Sequence, residues 1–342
     1  MMVAVQERVT EARILSGTRL AQCAHRAATA RVTAILNSGT LNSQTLNSQT
    51  LNSQTLNSQT LNSQTIDRHE GRHPGLGVIL VGENPASKAY VASKEKAAHK
   101  CGLATFNRTL ESSASSDQVL AAITEFNLDP RIDGILLQLP LPAHIDSAPL
   151  IAAIDPAKDA DGLHPINQGL LLQGRAHLVP CTPQGAMHLI DWAFAPEFDQ
   201  QVEAGTTLPP RASLAGKTAV VIGRSILVGK PVSMMLLERS ATVIMAHSKS
   251  PHLSHLVRTA DIVVAAVGVP KLVKGDWIKQ DAVVIDVGIN RLPDGSLTGD
   301  VDFESVAPHC SAITPVPGGV GPMTVAMLIA NTVEAFARSK LR

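Results

Sequence analysis

Apolar residues follow two rhythms along this chain, short dense runs and longer stretches in which they recur every three or four positions. Short segments at Leu76–Val81, Ala104–Thr109, Gly134–Gln138, Thr218–Ile222, Ala241–Ala246, Asp261–Val267 and Val283–Asn290 predict strands. Most of them lack polar alternation, the mark of strands covered on both faces of a parallel sheet. The longer rhythm predicts helices. In Ile14–Ile35 the residues Leu20, Ala24, Ala27, Ala28 and Val32 fall near one face, leaving Arg19, Arg26 and Arg31 to solvent. Further helices are predicted from Pro85 to about Lys100, over Ser116–Phe126 and Ser147–Ile154, from Thr182 to about Phe194, from Gly229 to about Arg239, and at the end of the chain to about Ala337. Start signals accompany several of them. Asn84 precedes Pro85, Ser115 or Ser116 can cap the third, and Thr182 is expected as an N-cap with Pro183 at the first position. Strands alternating with helices place the chain in the α/β class.

Two stretches break the rhythm. Leu-Asn-Ser-Gln-Thr occurs five times without change from Leu41 to Thr65, after the near copy Leu36-Asn-Ser-Gly-Thr40. A five-residue period matches neither helix nor strand. One Leu per five residues offers too little apolar area to offset backbone ordering. Residues 36–65 are therefore expected to form an inserted, mostly disordered loop. Pro196 to Ser213, with several Pro, Gly and acidic residues, is expected to be a linker or exposed loop.

At 342 residues the chain has room for about two domains, each with its own core. Basic and acidic residues balance at 29 each, so no basic field for nucleic acid exists. Cys23, Cys101, Cys181 and Cys310 are far apart, which points away from a zinc site or disulfide framework and toward a reducing, cytoplasmic compartment. No apolar run is expected to span a membrane. Glu7 and Glu11 without an apolar core segment predict neither a secretory signal nor a transit peptide.

Candidate chemistry gathers in two regions. Tyr90 and Lys94 are four apart on a predicted helix and share a face. A phenol beside an amine is a plausible acid/base pair, and an ordinary solvated helix surface is the plainer reading. Gln138 ends a strand before Leu139-Pro-Leu-Pro142, and strand carboxyl ends are where open α/β sheets bind ligands. In the loop Asp155–Asn167, EF-hand spacing is missing, so no calcium or other metal is expected. Asp161, beside Gly162, suits the amidine-like edge of a flat heterocycle. Further on, Gly223-Arg-Ser225 and Gly229 join a strand to a helix, as in a dinucleotide-binding turn, though the spacing is not GxGxxG. Where an NAD site would carry an acid, Ser248 and Lys249 stand, with Arg224 of the glycine turn expected near; hydroxyl plus cations favour NADP.

With these pieces assembled, the chain resembles the bifunctional methylenetetrahydrofolate dehydrogenase/methenyltetrahydrofolate cyclohydrolase family. The matching stretches are Val81–Ser87 with Tyr90 and Lys94, Asp133–Pro142, Asp159–Gly162, Pro180–Pro183, Gly223–Ser225, Gly268–Pro270, Asp286–Asn290 and Thr314–Thr324, within a resemblance running from Ile14 to Phe336. The resemblance implies two α/β domains, a folate-binding one and a Rossmann-like NADP-binding one, with a cleft between them. It places residues 1–180 in the first and 181–317 in the second, with a final helix, 318–342, packing back on the first. It further implies tetrahydrofolate derivatives as substrates, a homodimer, and a role in one-carbon metabolism including purine biosynthesis. Catalysis would fall to Lys94, Tyr90, Gln138 and Asp161. Leu139, Pro140, Pro317, Gly318 and Gly319 would join them in binding substrate, and Gly223, Arg224, Ser225, Ser248 and Ile289 would hold NADP. No nucleic acid or membrane partner is implied, and no synthetase segment is expected. Three alternatives stand beside this: a short-chain dehydrogenase, in which the Gly-rich turn precedes the Tyr/Lys pair rather than following it; a non-enzymatic dinucleotide sensor or scaffold; and a relative with only one of the two activities.

Overall fold

The computed structural model describes residues 12–49 and 72–340. The strands are β1 (Arg13–Ile14), β2 (Gly75–Val81), β3 (Ala104–Leu110), β4 (Gly134–Leu137), β5 (Thr218–Ile222), β6 (Thr242–Ala246), β7 (Ile262–Ala265), β8 (Ala282–Asp286), β9 (Asn290–Arg291), β10 (Leu297–Thr298) and β11 (Cys310–Ile313). The α-helices are α1 (Gly17–Gln49), α2 (Pro85–Lys100), α3 (Ser116–Leu128), α4 (Ser147–Ala153), α5 (Pro165–Leu172), α6 (Cys181–Ala193), α7 (Asp199–Glu203), α8 (Gly229–Glu238), α9 (Leu253–Arg258), α10 (Phe303–Val306) and α11 (Val320–Ser339). They form two compact units. One extends to Ala24 and from Gln168 to Met327; the other from His25 to Asn167 and from Leu328 onward.

These boundaries differ from the expected 1–180 and 181–317. The first strand, β1, pairs in parallel with β11 through Arg13↔Ala312 and Ile14↔Ile313, so the chain's start belongs to the larger sheet. Two residues are too few to carry a periodic signal, and Ile14 lies in this strand rather than in the helix that the apolar spacing predicts. The final helix divides at Met327/Leu328, and α5 falls with the larger unit from Gln168.

The larger unit is built on a six-stranded sheet, β1-β11-β8-β7-β5-β6, parallel throughout. Strands β7 and β8 are buried along their whole length, which explains their uninterrupted apolar sequences. The chain leaves β5 to one side for β6 and returns on the other for β7. That reversal makes a switch point at the β5 and β7 carboxyl ends. The smaller unit carries the parallel sheet β3-β2-β4. Here β2 is central and fully buried, with a second switch point between β2 and β4. Ile79, Val81, Ile135 and Leu137 pack with Val119, Ile123 and Phe126 of α3 and Leu150 and Ile151 of α4. Gly134 must be glycine, because a Cβ there would lie 2.8 Å from Thr332 Oγ1 of α11. Local signals act as expected at α2, where Asn84 Oδ1 accepts from Ser87 N at 3.2 Å, and at α3, where Ser115 and Gln118 form a capping box.

Several expectations need correction. The helix from Gly17 continues through Gln49 across the first copies of the array, instead of ending near Ile35. Extending a formed helix avoids the cost of nucleation, and Leu and Gln have good helix propensity. The later copies lie outside the described residues. Residues 196–213 are not a plain linker, since a 3₁₀ turn (Pro196–Phe198) and α7 fall within them. Asp199 accepts from Arg13 and from Trp192 Nε1, both at 2.8 Å, and Val202 is buried. Thr182 is not a cap: α6 begins at Cys181, and the Thr182 hydroxyl meets Thr324 Oγ1 at 3.0 Å. Finally, α11 is long and apolar enough to cross a membrane, with 67% of its apolar window buried inside the protein. Its apolar character serves two cores, through Met323, Met327, Ile329 and Phe336.

Candidate active site

Lys94 lies on α2, which follows β2, and Gln138 is the first residue past β4. Both side chains are buried, with Lys94 4% exposed. Lys94 Nζ donates to Gln138 Oε1 at 2.9 Å. The amide cannot flip without loss, because Gln138 Nε2 donates to the Leu139 carbonyl at 2.5 Å. Its oxygen is thereby fixed toward the amine. Lys94 Nζ also stands over the Tyr90 ring, 4.5 Å from its centre. The shared helix face thus brings the amine to the ring face of the phenol. Lys94, Tyr90 and Gln138 form one cluster, beside the switch point of the smaller sheet.

Asp161 stands on a loop tied to the strand that delivers Gln138. Ile135 N donates to Lys158 O at 2.6 Å and Ala160 N to Ile135 O at 3.2 Å. Asn331, buried on α11, donates to Ala160 O at 2.9 Å. Inside the loop, Asp159 accepts from Leu163 N, His164 N and Asn167 Nδ2. Burial pushes the Asp159 carboxyl above its ordinary range, against these hydrogen bonds. The half-buried carboxylate of Asp161 stands on a loop that Asp159 holds together through three donors. Leu139 packs its side chain against the core and offers its carbonyl to Gln138, while Pro140 is exposed. Pro317, Gly318 and Gly319 belong to the larger unit. Gly318 has φ of +103°, and its carbonyl accepts from Thr18 N at 3.2 Å, closing this turn onto the start of α1.

At the switch point of the larger sheet lies a cavity of about 560 Å³ lined by Gly223, Arg224, Ser225, His247 and Ser248, and walled by Ala266, Val267 and Val269 among others. Gly223 has φ of +130°, and a Cβ there would lie 2.2 Å from Ala266 O. A Cβ on Gly229, at the start of α8, would meet Gly223 O at 2.2 Å. Only glycine allows this close turn of strand into helix, the kind of turn that sets a helix N-terminus against a pyrophosphate. Ser225 Oγ accepts from Val228 N at 3.1 Å, so this hydroxyl also shapes the turn. Arg224 and Ser248 are exposed at the cavity, a cation and a hydroxyl suited to a 2′-phosphate. These features fit a phosphorylated dinucleotide. Ile289 is 60% exposed after β8. Among the described residues, no cluster of three or more His, Cys, Asp or Glu could hold a metal ion.

Sequence reasoning missed His247, Ser250 and Val267 as cavity residues, and Asp300 altogether. The His247–Ser250 turn, closed by His247 N to Ser250 Oγ at 3.0 Å, carries a recognisable polar cluster. Asp300 gave no signal, because its partners lie up to 33 positions earlier.

Comparison with known proteins places these features in a family. Residues 46–161 match the family model described as tetrahydrofolate dehydrogenase/cyclohydrolase, catalytic domain, and residues 208–340 match its NAD(P)-binding domain. The bifunctional protein FolD of Rhodospirillum rubrum is 51% identical over 277 residues, covering 78% of this chain and 88% of the relative. The crystal structure of the bifunctional FolD methylenetetrahydrofolate dehydrogenase/cyclohydrolase from Campylobacter jejuni superposes with a TM-score of 0.76 at 39% identity, covering 95% of this chain and 99% of that one. The Trypanosoma brucei methylenetetrahydrofolate dehydrogenase-cyclohydrolase, crystallised with NADP cofactor and an inhibitor, gives a TM-score of 0.79 at 34% identity, covering 96% and 99%. The chain belongs to the tetrahydrofolate dehydrogenase/cyclohydrolase family.

Proposed function

We propose that this protein oxidises 5,10-methylenetetrahydrofolate with NADP and then hydrolyses the 5,10-methenyl product to 10-formyltetrahydrofolate. The observation that carries the reading is the buried Lys94–Gln138 hydrogen bond at 2.9 Å, beside a strand carboxyl end. NADP, when bound, supplies the hydride acceptor. Hydride loss needs no general acid, because a folate nitrogen lone pair stabilises the cation formed; the protein's task there is positioning. Hydrolysis is more demanding. Water adds to the methenyl carbon, one of its protons leaves, and a proton reaches N5 as the carbon–N5 bond opens. Lys94 is assigned that proton handling, with Gln138 fixing the direction of one Lys94 N–H and Tyr90 covering the amine. Asp161 is assigned the flat heterocycle, as acceptor of paired N–H groups. Leu139, Pro140, Pro317, Gly318 and Gly319 are assigned to the folate, and Gly223, Arg224, Ser225, Ser248 and Ile289 to NADP.

The cytoplasm is the proposed compartment, supported by four buried cysteines scattered along the chain. A homodimer, and supply of one-carbon units to purine biosynthesis, are proposed by family likeness. The test is a spectrophotometric assay with methylenetetrahydrofolate, run with NADP and NAD in parallel, on wild type and Lys94→Met. The wild type should reduce NADP faster than NAD. Lys94→Met should lose hydrolysis by at least about a hundredfold, the usual scale of acid–base catalysis. Normal hydrolysis in that variant removes Lys94 from the mechanism, and no NADP reduction by the wild type removes the whole reading.

A further inference from the structure

Two carboxylates interlock behind the cofactor cavity. Asp286, the last residue of β8, is buried and accepts from Gly288 N, Asp300 N and Val301 N, each at 2.9 Å. Asp300 is fully buried. Its Oδ2 accepts from Val267 N at 2.6 Å and Gly268 N at 2.9 Å, and its Oδ1 accepts from Asn290 Nδ2 at 2.9 Å. Glycines admit both carboxylates. A Cβ on Gly299 would lie 1.8 Å from Asp286 Oδ2, and one on Gly288 would lie 2.3 Å from Asp300 Cγ. The segment is anchored further by Lys271 N to Gly299 O and Val273 N to Asp300 O, both at 3.0 Å.

Burying two acidic groups this close is costly for stability, even with every oxygen hydrogen-bonded. An apolar pair of similar size would fill the space, yet could accept none of these N–H groups. What the carboxylates gain is geometry. They tie together the turns after β7 and β8, at the carboxyl end of the sheet, and Val267 itself lines the cavity. We propose that Asp300 is a positioning residue for cofactor binding: its carboxylate sets the Val267-Gly268 backbone and the Asn290 side chain, and Asp286 in turn holds the Asp300 backbone. The inference rests on the NADP reading of this cavity.

The contact with Asn290 supplies a specific test. In Asp300→Asn the remaining side-chain oxygen can still serve Val267 N and Gly268 N, but without the charge, and the new amide nitrogen faces Asn290, whose amide must turn over to accept from it. Adding Asn290→Asp returns a charged acceptor to this contact with no turning of the amide. NADP affinity is measured by calorimetry on the full chain, with hydrolysis of methenyltetrahydrofolate and the melting temperature followed in parallel. Asp300→Asn should raise the Kd for NADP about tenfold, the scale of one lost hydrogen bond to a charged group. Hydrolysis, assigned to Lys94 and Gln138 in the other unit, should fall by much less. The double variant should recover NADP affinity to within about threefold of wild type. A wild-type Kd in Asp300→Asn overturns the proposal, as does equal loss of both functions with no recovery in the double variant. Should Asp300→Asn not fold, Asn290→Ala decides: a raised Kd supports the proposal and an unchanged one overturns it. A wild-type chain that binds no NADP would instead sink the cofactor reading itself.

Discussion

A carboxylate that accepts two parallel N–H donors contributes a charge-assisted pair, and removing its charge weakens binding without altering shape. Asp161→Asn should therefore raise the Kd for a folate ligand about tenfold to a hundredfold, from about 1.5–3 kcal/mol for hydrogen bonds to a charged group. Fluorescence titration checks this, and unchanged affinity would remove Asp161 from the site. At this scale, what the sequence could show depended on distance along the chain. Tyr90 and Lys94 were legible because helical geometry brings positions four apart together. Gln138 was legible because prolines end its strand. The bond between Lys94 and Gln138 joins residues 44 apart, and no spacing rule reaches that far. Asp300 was illegible for a further reason. Two of its partners are backbone N–H groups, which every residue but proline presents and which leave no trace in residue identity.

Elements show the same division between local signals and distant partners. The α3 capping box and the apolar strands were readable, whereas two-residue β1 and the one-turn helices were not. The start of β2 depends on a partner outside its own pattern. Arg72 donates to both oxygens of Asp133, at 2.7 and 2.9 Å, and Gly75 N donates to Asp133 Oδ2 at 2.8 Å. Asp133 precedes β4, so this clasp sets the register of β2 against β4, and with it the placing of α2 and Gln138. Its side chain is 3% exposed; removing it takes the acceptor from buried Gly75 N and the carboxylate from Arg72, whose Nη1 keeps the His73 and Arg131 carbonyls. Asp133→Ala should destabilise the protein by about 3–5 kcal/mol, seen as a lower urea midpoint with an unchanged slope. A shift below about 1 kcal/mol would show that the clasp is dispensable. The array makes the opposite case. Among the described side chains of α1, Val32 is the last buried one. Deleting residues 41–65 should leave both activities within about twofold and the melting temperature within about 2 °C.

At the scale of the whole molecule, ionisable groups in both units contribute opposite dependences of stability on pH, and their sum hides each. Burial pushes the Asp286 carboxyl up to about 6, against three N–H donors, with the Asp300 charge adding to the rise. Asp159, in the other unit, is raised as well. Between the ordinary carboxyl value and the raised one, the native chain holds a proton that the unfolded chain has released. Stability from both is therefore complete at low pH and is lost as pH rises, for Asp286 through about 6. His25 and His188 act in reverse. Burial lowers both below the ordinary value of 6.5, so in that window the unfolded chain holds the extra proton. Their contribution is complete above 6.5 and is lost as pH falls. Asp129, Asp261 and Asp302 are lowered, which confines their effect to more acidic solution. Each group contributes a slope of at most about 1.4 kcal/mol per pH unit. Just below pH 6, the Asp286 contribution falls with pH while those of the two histidines rise. Asp286→Asn removes a falling contribution, so its slope with pH should lie above the wild-type slope; His188→Gln removes a rising one, so its slope should lie below it. Urea unfolding at constant ionic strength measures these slopes, and the slope is diagnostic even where a variant is less stable throughout. If both variants keep the wild-type slope, neither group titrates in that window, and the opposition between the two kinds of buried group is absent.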